Sequence, residues 1–376
     1  MNMSSGSTEP RRRRAVPRAL GVTAALAGGL AMVVAVAVAA GWMPGWRDWG
    51  LPGTGPKLGE HGMTGKNNTN ASRIACALPP LAAQRPDAPE GMVWVPAGRL
   101  TPGDSVYPEE AGGKPVQLAG FWMDRTEVSN DQFARFVAAT GYVTVAERAP
   151  DPTRLAGAPP ELLRPGALVF QVPRKLDGPP DPLQWWRYLP GASWRQPGGP
   201  GTHLEGRGSL PVVSVTLEDA HAYARWVGRQ LPTEAQWEWA AREARDQATP
   251  QHEQPRQANT WQGRFPMEDA ASDGFAGIAP VGCYAGNALG LHDMIGNVWE
   301  WTRDAWRPGH EDAPPPALQA ARAAATGGPL AQGVIKGGSF LCSPDWCMRY
   351  RAGARQPQDL DLATSHLGFR TILEVR

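Results

Sequence analysis

Glycine and proline recur so densely along this chain that they govern its architecture: 44 Gly and 38 Pro stand among 376 residues, over a fifth of the total. Glycine weakens helices and strands and proline interrupts both. That density suits an irregular, loop-rich fold better than a helical bundle or a regular barrel. The length accommodates a short targeting segment with one large domain, or two modest domains. Sixteen Trp against six Tyr is a skewed aromatic set, and indoles in that number are expected to line a core or a groove. A formal net charge of +1 speaks against nucleic acid or an anionic membrane face as a bulk electrostatic partner.

The N-terminus reads as a targeting element. Arg11 to Arg14 and Arg18 form a basic cluster, and the next charged residue is Arg47. Between them, Ala19 to Trp42 is almost wholly Ala, Val, Leu and Gly, long enough to cross a bilayer because roughly 20 apolar residues suffice. The arginines are expected to stay cytoplasmic, which puts everything after Arg47 on the extracytoplasmic, periplasmic face. A cleaved signal peptide competes with a retained anchor, since Ala35-Val36-Ala37 and Ala37-Val38-Ala39 both have the small-x-small form of a cleavage site. Both readings export the domain. Residues 1–47 are therefore assigned to the basic N-terminus and anchor or signal segment. Residues 48–90 form a flexible linker rich in Gly, Pro, Asn and Thr, and 91–376 the globular domain.

Within that domain, Gly91 to Pro96 reads as a short strand. Three helices are marked by their caps: Ser129 with Gln132 and a stop at Gly141, Thr216 with a stop at Gly228, and Thr233 with Gln236. Ala149 to Gly208 is dense in Pro and Gly and is expected to be ordered irregular loop, anchored by Trp185, Trp186 and Trp194. Val334-Ile335-Lys336 and Phe369 to Leu373 are expected strands. The fold class is α+β with little regular secondary structure.

Four cysteines, Cys76, Cys283, Cys342 and Cys347, are too few to build a domain of this size from disulfides. Cys76 falls in the linker and reads as an incidental thiol; Cys283 reads as a buried thiol with no partner. The seven histidines form no pair at i, i+3 or i, i+4, which leaves a histidine-based zinc or non-haem iron site little support. Cys342 and Cys347, five apart, would point to opposite faces of a straight strand. Ser343-Pro344-Asp345 is turn chemistry, however, and a turn there folds the two sulfurs together. Spacing leaves three readings open: a structural disulfide, natural in an exported protein; half of a zinc site with no further ligands nearby; and a two-thiolate site for a soft, low-coordinate ion such as Cu(I).

The surroundings of the pair are more specific. Gly337-Gly338-Ser339 before Cys342, Arg349-Tyr350-Arg351 after Cys347, and Ser365-His366-Leu367-Gly368-Phe369-Arg370 closely resemble the signature of formylglycine-generating enzymes. Tyr107-Pro108-Glu109-Glu110, Glu127-Val128-Ser129-Asn130, Leu231-Pro232-Thr233-Glu234, Asn259-Thr260-Trp261-Gln262-Gly263 and Gly296-Asn297-Val298-Trp299-Glu300-Trp301 resemble further landmarks of that family in its own order. The resemblance covers about Gly91 to Arg376. Leu-Pro-Thr-Glu and Gly-Asn-x-Trp-Glu-Trp are shared with relatives that do not oxidise cysteine, so those runs speak for the fold; the paired cysteines speak for the reaction.

The resemblance implies a C-type-lectin-like sulfatase-modifying-factor fold. It also implies an O2-dependent oxidase that converts the cysteine of a Cys-x-Pro-x-Arg segment in an unfolded sulfatase polypeptide to Cα-formylglycine. Cys342 and Cys347 as thiolates would hold Cu(I), with the substrate thiolate as a third soft ligand. Hydrogen loss from the substrate's β-carbon would give a thioaldehyde that hydrolyses to the aldehyde. Ser339 is carried over as a polar group near the oxygen pocket, with a turn hydroxyl as its plain alternative. Trp299 is carried over as a wall of the reaction centre, with core packing as its alternative. Two structural Ca²⁺ sites are implied as well: Asn259, Thr260, Asp273 and Phe275 for one, and Asp293, Gly296, Val298 and Glu300 for the other. These mix carboxylates and carbonyls as hard oxygen ligands. Without the resemblance, Asp273-Gly274 reads as a turn and Glu300 as a paired surface charge. The alternative function is a non-enzymatic, calcium-stabilised extracytoplasmic binding module of the same fold, with Cys342 and Cys347 as a permanent disulfide.

Overall fold

Among the described residues, capping boxes start all three α-helices. The Ser129 hydroxyl accepts from the Gln132 N–H and the Gln132 side chain accepts from the Ser129 N–H, launching α1 (Asn130–Thr140), which stops at left-handed Gly141, φ 66°. Thr216 with Asp219 opens α2 (Leu217–Trp226), and Thr233 with Gln236 opens α3 (Glu234–Ala241). Each box satisfies two N–H groups that a helix start otherwise leaves unpaired. In this computed structural model the described residues are 76–375 apart from 81–84, 153–154, 156–157, 246–253 and 311–330. The expected membrane segment, Ala19 to Trp42, and the linker up to residue 75 lie outside them. Among the described residues no helix is long and apolar enough to cross a membrane.

The strands are short and gather into four small sheets. β1 (Met92–Val95), β4 (Phe121–Asp124) and β11 (Ile372–Glu374) form an antiparallel sheet ordered β1-β4-β11. β7 (Trp299–Ala305), β8 (Gln332–Lys336), β9 (Arg355–Asp359) and β10 (Leu367–Gly368) form the second, ordered β10-β7-β8-β9, with β10 parallel to β7. β2 (Gly98–Leu100) pairs with β3 (Val116–Leu118), and β5 (Gly166–Phe170) with β6 (Trp186–Pro190). The β5–β6 hairpin lies inside the stretch expected to be irregular. Its prolines collect in the connection, where they cost no ladder bond, while Phe170 faces Trp186 across the pair.

Of the expected strand Phe369 to Leu373, only Ile372 and Leu373 are extended in a ladder, in β11; β10 ends just before it at Gly368. Arg370 turns inward to Glu300, and Thr371 gives both its N–H and its hydroxyl to the Asp124 carboxylate. Side chains thus take the place of the ladder there. The main apolar cluster packs α1 and α2 on β7 and β8 through Phe133, Tyr223, Trp299 and Ile335, and Cys342 belongs to it. A second cluster seats α3 on β1 and β4 through Trp237 and Phe121.

The cysteine assignments outside the pair are corrected by the structure. Cys76 is bonded to Cys283 across a sequence separation of 207. Neither is therefore a free thiol, and the chain before β1 is docked: Leu78 covers Gly282, the Pro79 carbonyl accepts from Arg125 at 2.7 Å, and the Arg85 guanidinium lies 4.4 Å above Trp94.

Candidate active site

β8 runs into Gly337 and Gly338, both left-handed at φ 95° and 77°. A Cβ on residue 338 would stand 2.8 Å from the Arg349 carbonyl, so glycine there lets the outgoing and returning chains touch. The intervening loop carries both cysteines. The Ser343 carbonyl accepts from the Trp346 and Cys347 N–H groups at 3.3 and 3.0 Å, and that single turn brings residue 347 back over residue 342. The sulfurs end 2.7 Å apart as free thiols. Cys342 is held by the Ser339 carbonyl on its N–H and by the Trp261 N–H on its carbonyl. Its side chain is 1% exposed, whereas Cys347 reaches the surface in part.

The two thiols differ in acidity for physical reasons. The bond from Cys342, with the Arg349 guanidinium behind it, brings Cys347 down to about 7. Burial, and then the charge of Cys347, push Cys342 well up. Cys347 is thus the more acidic of the two thiols, and the proton they share is favoured on Cys342. Arg349 pairs with Glu109 and lies 4.1 Å over the Tyr107 ring, while the Tyr107 hydroxyl accepts from the Met348 N–H. Arg351 binds both oxygens of buried Glu110 at 2.7 and 2.6 Å and pairs with Asp104. The second cysteine is therefore suspended from residues about 240 positions earlier. Next to it, Trp346 stacks on Phe265 at 5.4 Å and meets Trp185 edge-on at 4.9 Å.

Ser339 is fully buried and its hydroxyl accepts from the Leu341 N–H at 3.3 Å. Trp299 opens β7, is 2% exposed and shares the core cluster of Cys342.

The residues of the first implied calcium site lie together. The Asp273 carboxylate accepts from the Thr260 and Phe275 N–H groups, and the Asn259 amide donates to Gly277 and Asn297. Asp273-Gly274 does form a turn, with φ 116° at the glycine. In the second set, a Cβ on Gly296 would stand 2.3 Å from the Asn259 carbonyl, so the two sets share a wall. Val298 is fully buried beside them. Glu300 is paired, though in the core: it takes Arg370 at 2.6 and 2.7 Å and the Trp237 N–H at 2.8 Å.

The free oxygens belong elsewhere. Asp293 accepts from the Gly282 N–H at 2.6 Å and Glu127 from the Asn297 amide at 3.0 Å; Asp293 Oδ1 and Glu127 Oε2 are buried with no N–H or hydroxyl donor, and the two carboxyl groups hydrogen-bond to each other. Burial raises Asp293 to about 6, and burial together with Asp293 raises Glu127 well above the carboxylate range. Asp293 and Asn297 both sit at φ 55°, a conformation that costs non-glycine residues of order 1–3 kcal/mol. Glu300 engages Arg370 through both oxygens, so Glu127 and Asp293 have no ion pair of their own among the described residues. Glu127 stands in the sequence only as part of the landmark Glu127-Val128-Ser129-Asn130 and was given no site role, because its neighbours Asp293 and Asn297 come from another part of the chain.

A loop-rich α+β domain that ends in a closed thiol pair, one sulfur buried and one reaching the surface, is the class this geometry defines. The chain belongs to the family of the sulfatase-modifying factor enzyme 1-like domain, whose model matches residues 79–375. It is 45% identical to the formylglycine-generating enzyme of Mycobacterium tuberculosis over 291 residues, 75% of this chain and 97% of that one. It is 41% identical to the formylglycine-generating enzyme of Thermomonospora curvata, over 75% of this chain and 92% of the other. The mouse inactive C-alpha-formylglycine-generating enzyme 2 is 35% identical over 74% of this chain and 84% of its own, so similarity across the domain does not by itself carry activity.

Proposed function

We propose that the chain is an oxidoreductase that converts the cysteine of a Cys-x-Pro-x-Arg segment in an unfolded sulfatase polypeptide to Cα-formylglycine, with O2 as co-substrate and Cu(I) held by Cys342 and Cys347. The observation that carries the reading is the unbonded sulfur pair at 2.7 Å. Two thiolates at one point, with no third His, Cys, Asp or Glu grouped with them among the described residues, suit a soft monovalent ion. Copper bound there would supply the activation of O2. Cys347 offers its sulfur as a thiolate, and Cys342 gives up the shared proton when an ion replaces it. Arg349 stabilises the negative charge, and Trp346, next to Cys347 in the chain, is packed on Phe265 and Trp185.

Structural Ca²⁺ is proposed at Asn259, Thr260, Asp273 and Phe275, and at Asp293 with the carbonyls of Gly296 and Val298. The donorless oxygen of Glu127 fits the second site better than Glu300, which Arg370 occupies. Export to the extracytoplasmic face, through the segment Ala19 to Trp42, is supported by the Cys76–Cys283 disulfide, a bond of oxidising compartments.

The test is mass spectrometry of a Cys-x-Pro-x-Arg peptide incubated with Cu(I)-loaded protein under O2. Loss of the peptide's sulfur with gain of an aldehyde is expected. Unchanged peptide, with copper bound and several such sequences tried, would overturn the oxidase. Alkylation of Cys342 and Cys347 in protein kept free of reductant separates it from the binding module, in which neither sulfur would react.

A further inference from the structure

The segment ahead of the domain is fastened at one place. Cys76 is bonded to Cys283. Leu78 lies over Gly282 so closely that a Cβ there would stand 2.3 Å from its Cδ2, with Thr126 on the other side at 3.5 Å. The Pro79 carbonyl accepts from Arg125, which also reaches the Gly290 carbonyl, and the Arg125 carbonyl accepts from the His292 N–H. The Gly282 N–H, directly beneath Leu78, donates to Asp293 at 2.6 Å. Thr126 precedes Glu127. The strap therefore sits on the two elements that carry the donorless oxygens of Glu127 and Asp293, bonded covalently to one and packed against both.

We infer that Cys76, Leu78 and Pro79 form a covalent roof over the Glu127–Asp293 pocket, and that the disulfide sets how tightly this pocket holds a divalent cation. The roof fixes Gly282, Gly282 orients the Asp293 carboxylate, and the covered pocket keeps water from competing for its oxygens. Opening the disulfide frees the strap, lets the Gly282 turn move and exposes the two carboxylates to solvent, where they no longer need an ion. The fastening itself is independent of the reaction at the sulfur pair; its effect on cation binding rests on the second calcium site proposed above.

The test compares wild-type exported protein with the Cys76→Ser/Cys283→Ser double variant and with Leu78→Asp, which keeps the disulfide but removes the packing. Tryptic mapping without reductant is expected to recover Cys76 and Cys283 as one cross-linked peptide. Loss of an oriented second-sphere bond lowers metal affinity by roughly 10–100-fold. Calorimetry with Ca²⁺ alone should show weakening of about that size in both variants. The melting temperature of the double variant should fall by roughly 5–10 °C, because opening a 200-residue loop frees the unfolded chain. Free Cys76 and Cys283 in the native protein overturn the inference. So does an unchanged calcium affinity in Leu78→Asp. Wild-type protein that binds no Ca²⁺ overturns it too. Peptide oxidation is assayed in parallel: its absence in all three proteins counts against the oxidase and leaves the calcium comparison standing.

Discussion

Two side chains decide most of the local chemistry. Cys347 is acidic because Cys342 donates to it. In metal-free protein its alkylation by iodoacetamide should rise with pH through about 7 and outpace that of Cys342, since the thiolate is the nucleophile. Cys342→Ala deletes the donor, and the midpoint should move up toward the free-thiol value of about 8.5. A midpoint that stays put would assign the acidity to Arg349 alone. Glu127 makes a prediction with a change of sign. Glu127→Gln replaces a carboxyl forced up by burial and by Asp293 with an amide that donates to Asp293. In a chelator it should stabilise the fold by about 1–2 kcal/mol, the cost of a buried group left unmade. In saturating calcium, where the second site loses a charged ligand, it should melt below wild type.

At the scale of elements, the cysteine loop is held from two ends. Gly338 permits the close crossing with Arg349, so Gly338→Ala meets both a left-handed φ and a backbone carbonyl. A loss of about 2 kcal/mol or more in urea unfolding is expected. Arg351 with Glu110 holds the other end. Arg351→Met strands a buried carboxylate and should cost about 3–5 kcal/mol, while the double variant with Glu110→Leu should recover much of it. The sequence made some elements legible and hid others. The three helices could be read because a cap is a local device: Ser129 and Gln132 are three residues apart and bond to each other. The turn between Cys342 and Cys347 was legible for the same reason. The β5–β6 hairpin was hidden by prolines that crowd its connection, and the interruption of the expected Phe369 to Leu373 strand by the remoteness of Glu300 and Asp124, the partners of Arg370 and Thr371. Cys76 and Cys283 share no local signal at all; only the fold brings them together.

For the molecule as a whole, pH acts through groups buried without their charge. His366 packs against Trp186 at 4.7 Å, with Nδ1 at 3.0 Å from the Thr364 hydroxyl, and burial pushes it down to about 3. The unfolded chain takes up a proton near 6.5, which the native imidazole refuses until about 3. Stability from this residue is thus complete above about 6.5 and drains away as pH falls toward 3. His366→Asn should flatten the fall in thermal midpoint across that window, measured at fixed calcium, and an unchanged slope would place the acid sensitivity in the carboxylates.

If the domain is exported as proposed, the pairing of Cys76 with Cys283 also bears on the order of events along that route. A chain that crosses the membrane from its N-terminus delivers its thiols in sequence. When Cys283 emerges, Cys76 is the sole thiol already outside, so oxidation at that moment has one product. Cys342 and Cys347 follow later, into a compartment where the other pair is already spent, and their loop closes only after Gly338, Arg349 and Arg351 meet residues synthesised long before. Vectorial delivery thereby sorts a structural bond from a reactive pair with no need for an isomerase to choose between the three ways of joining four cysteines.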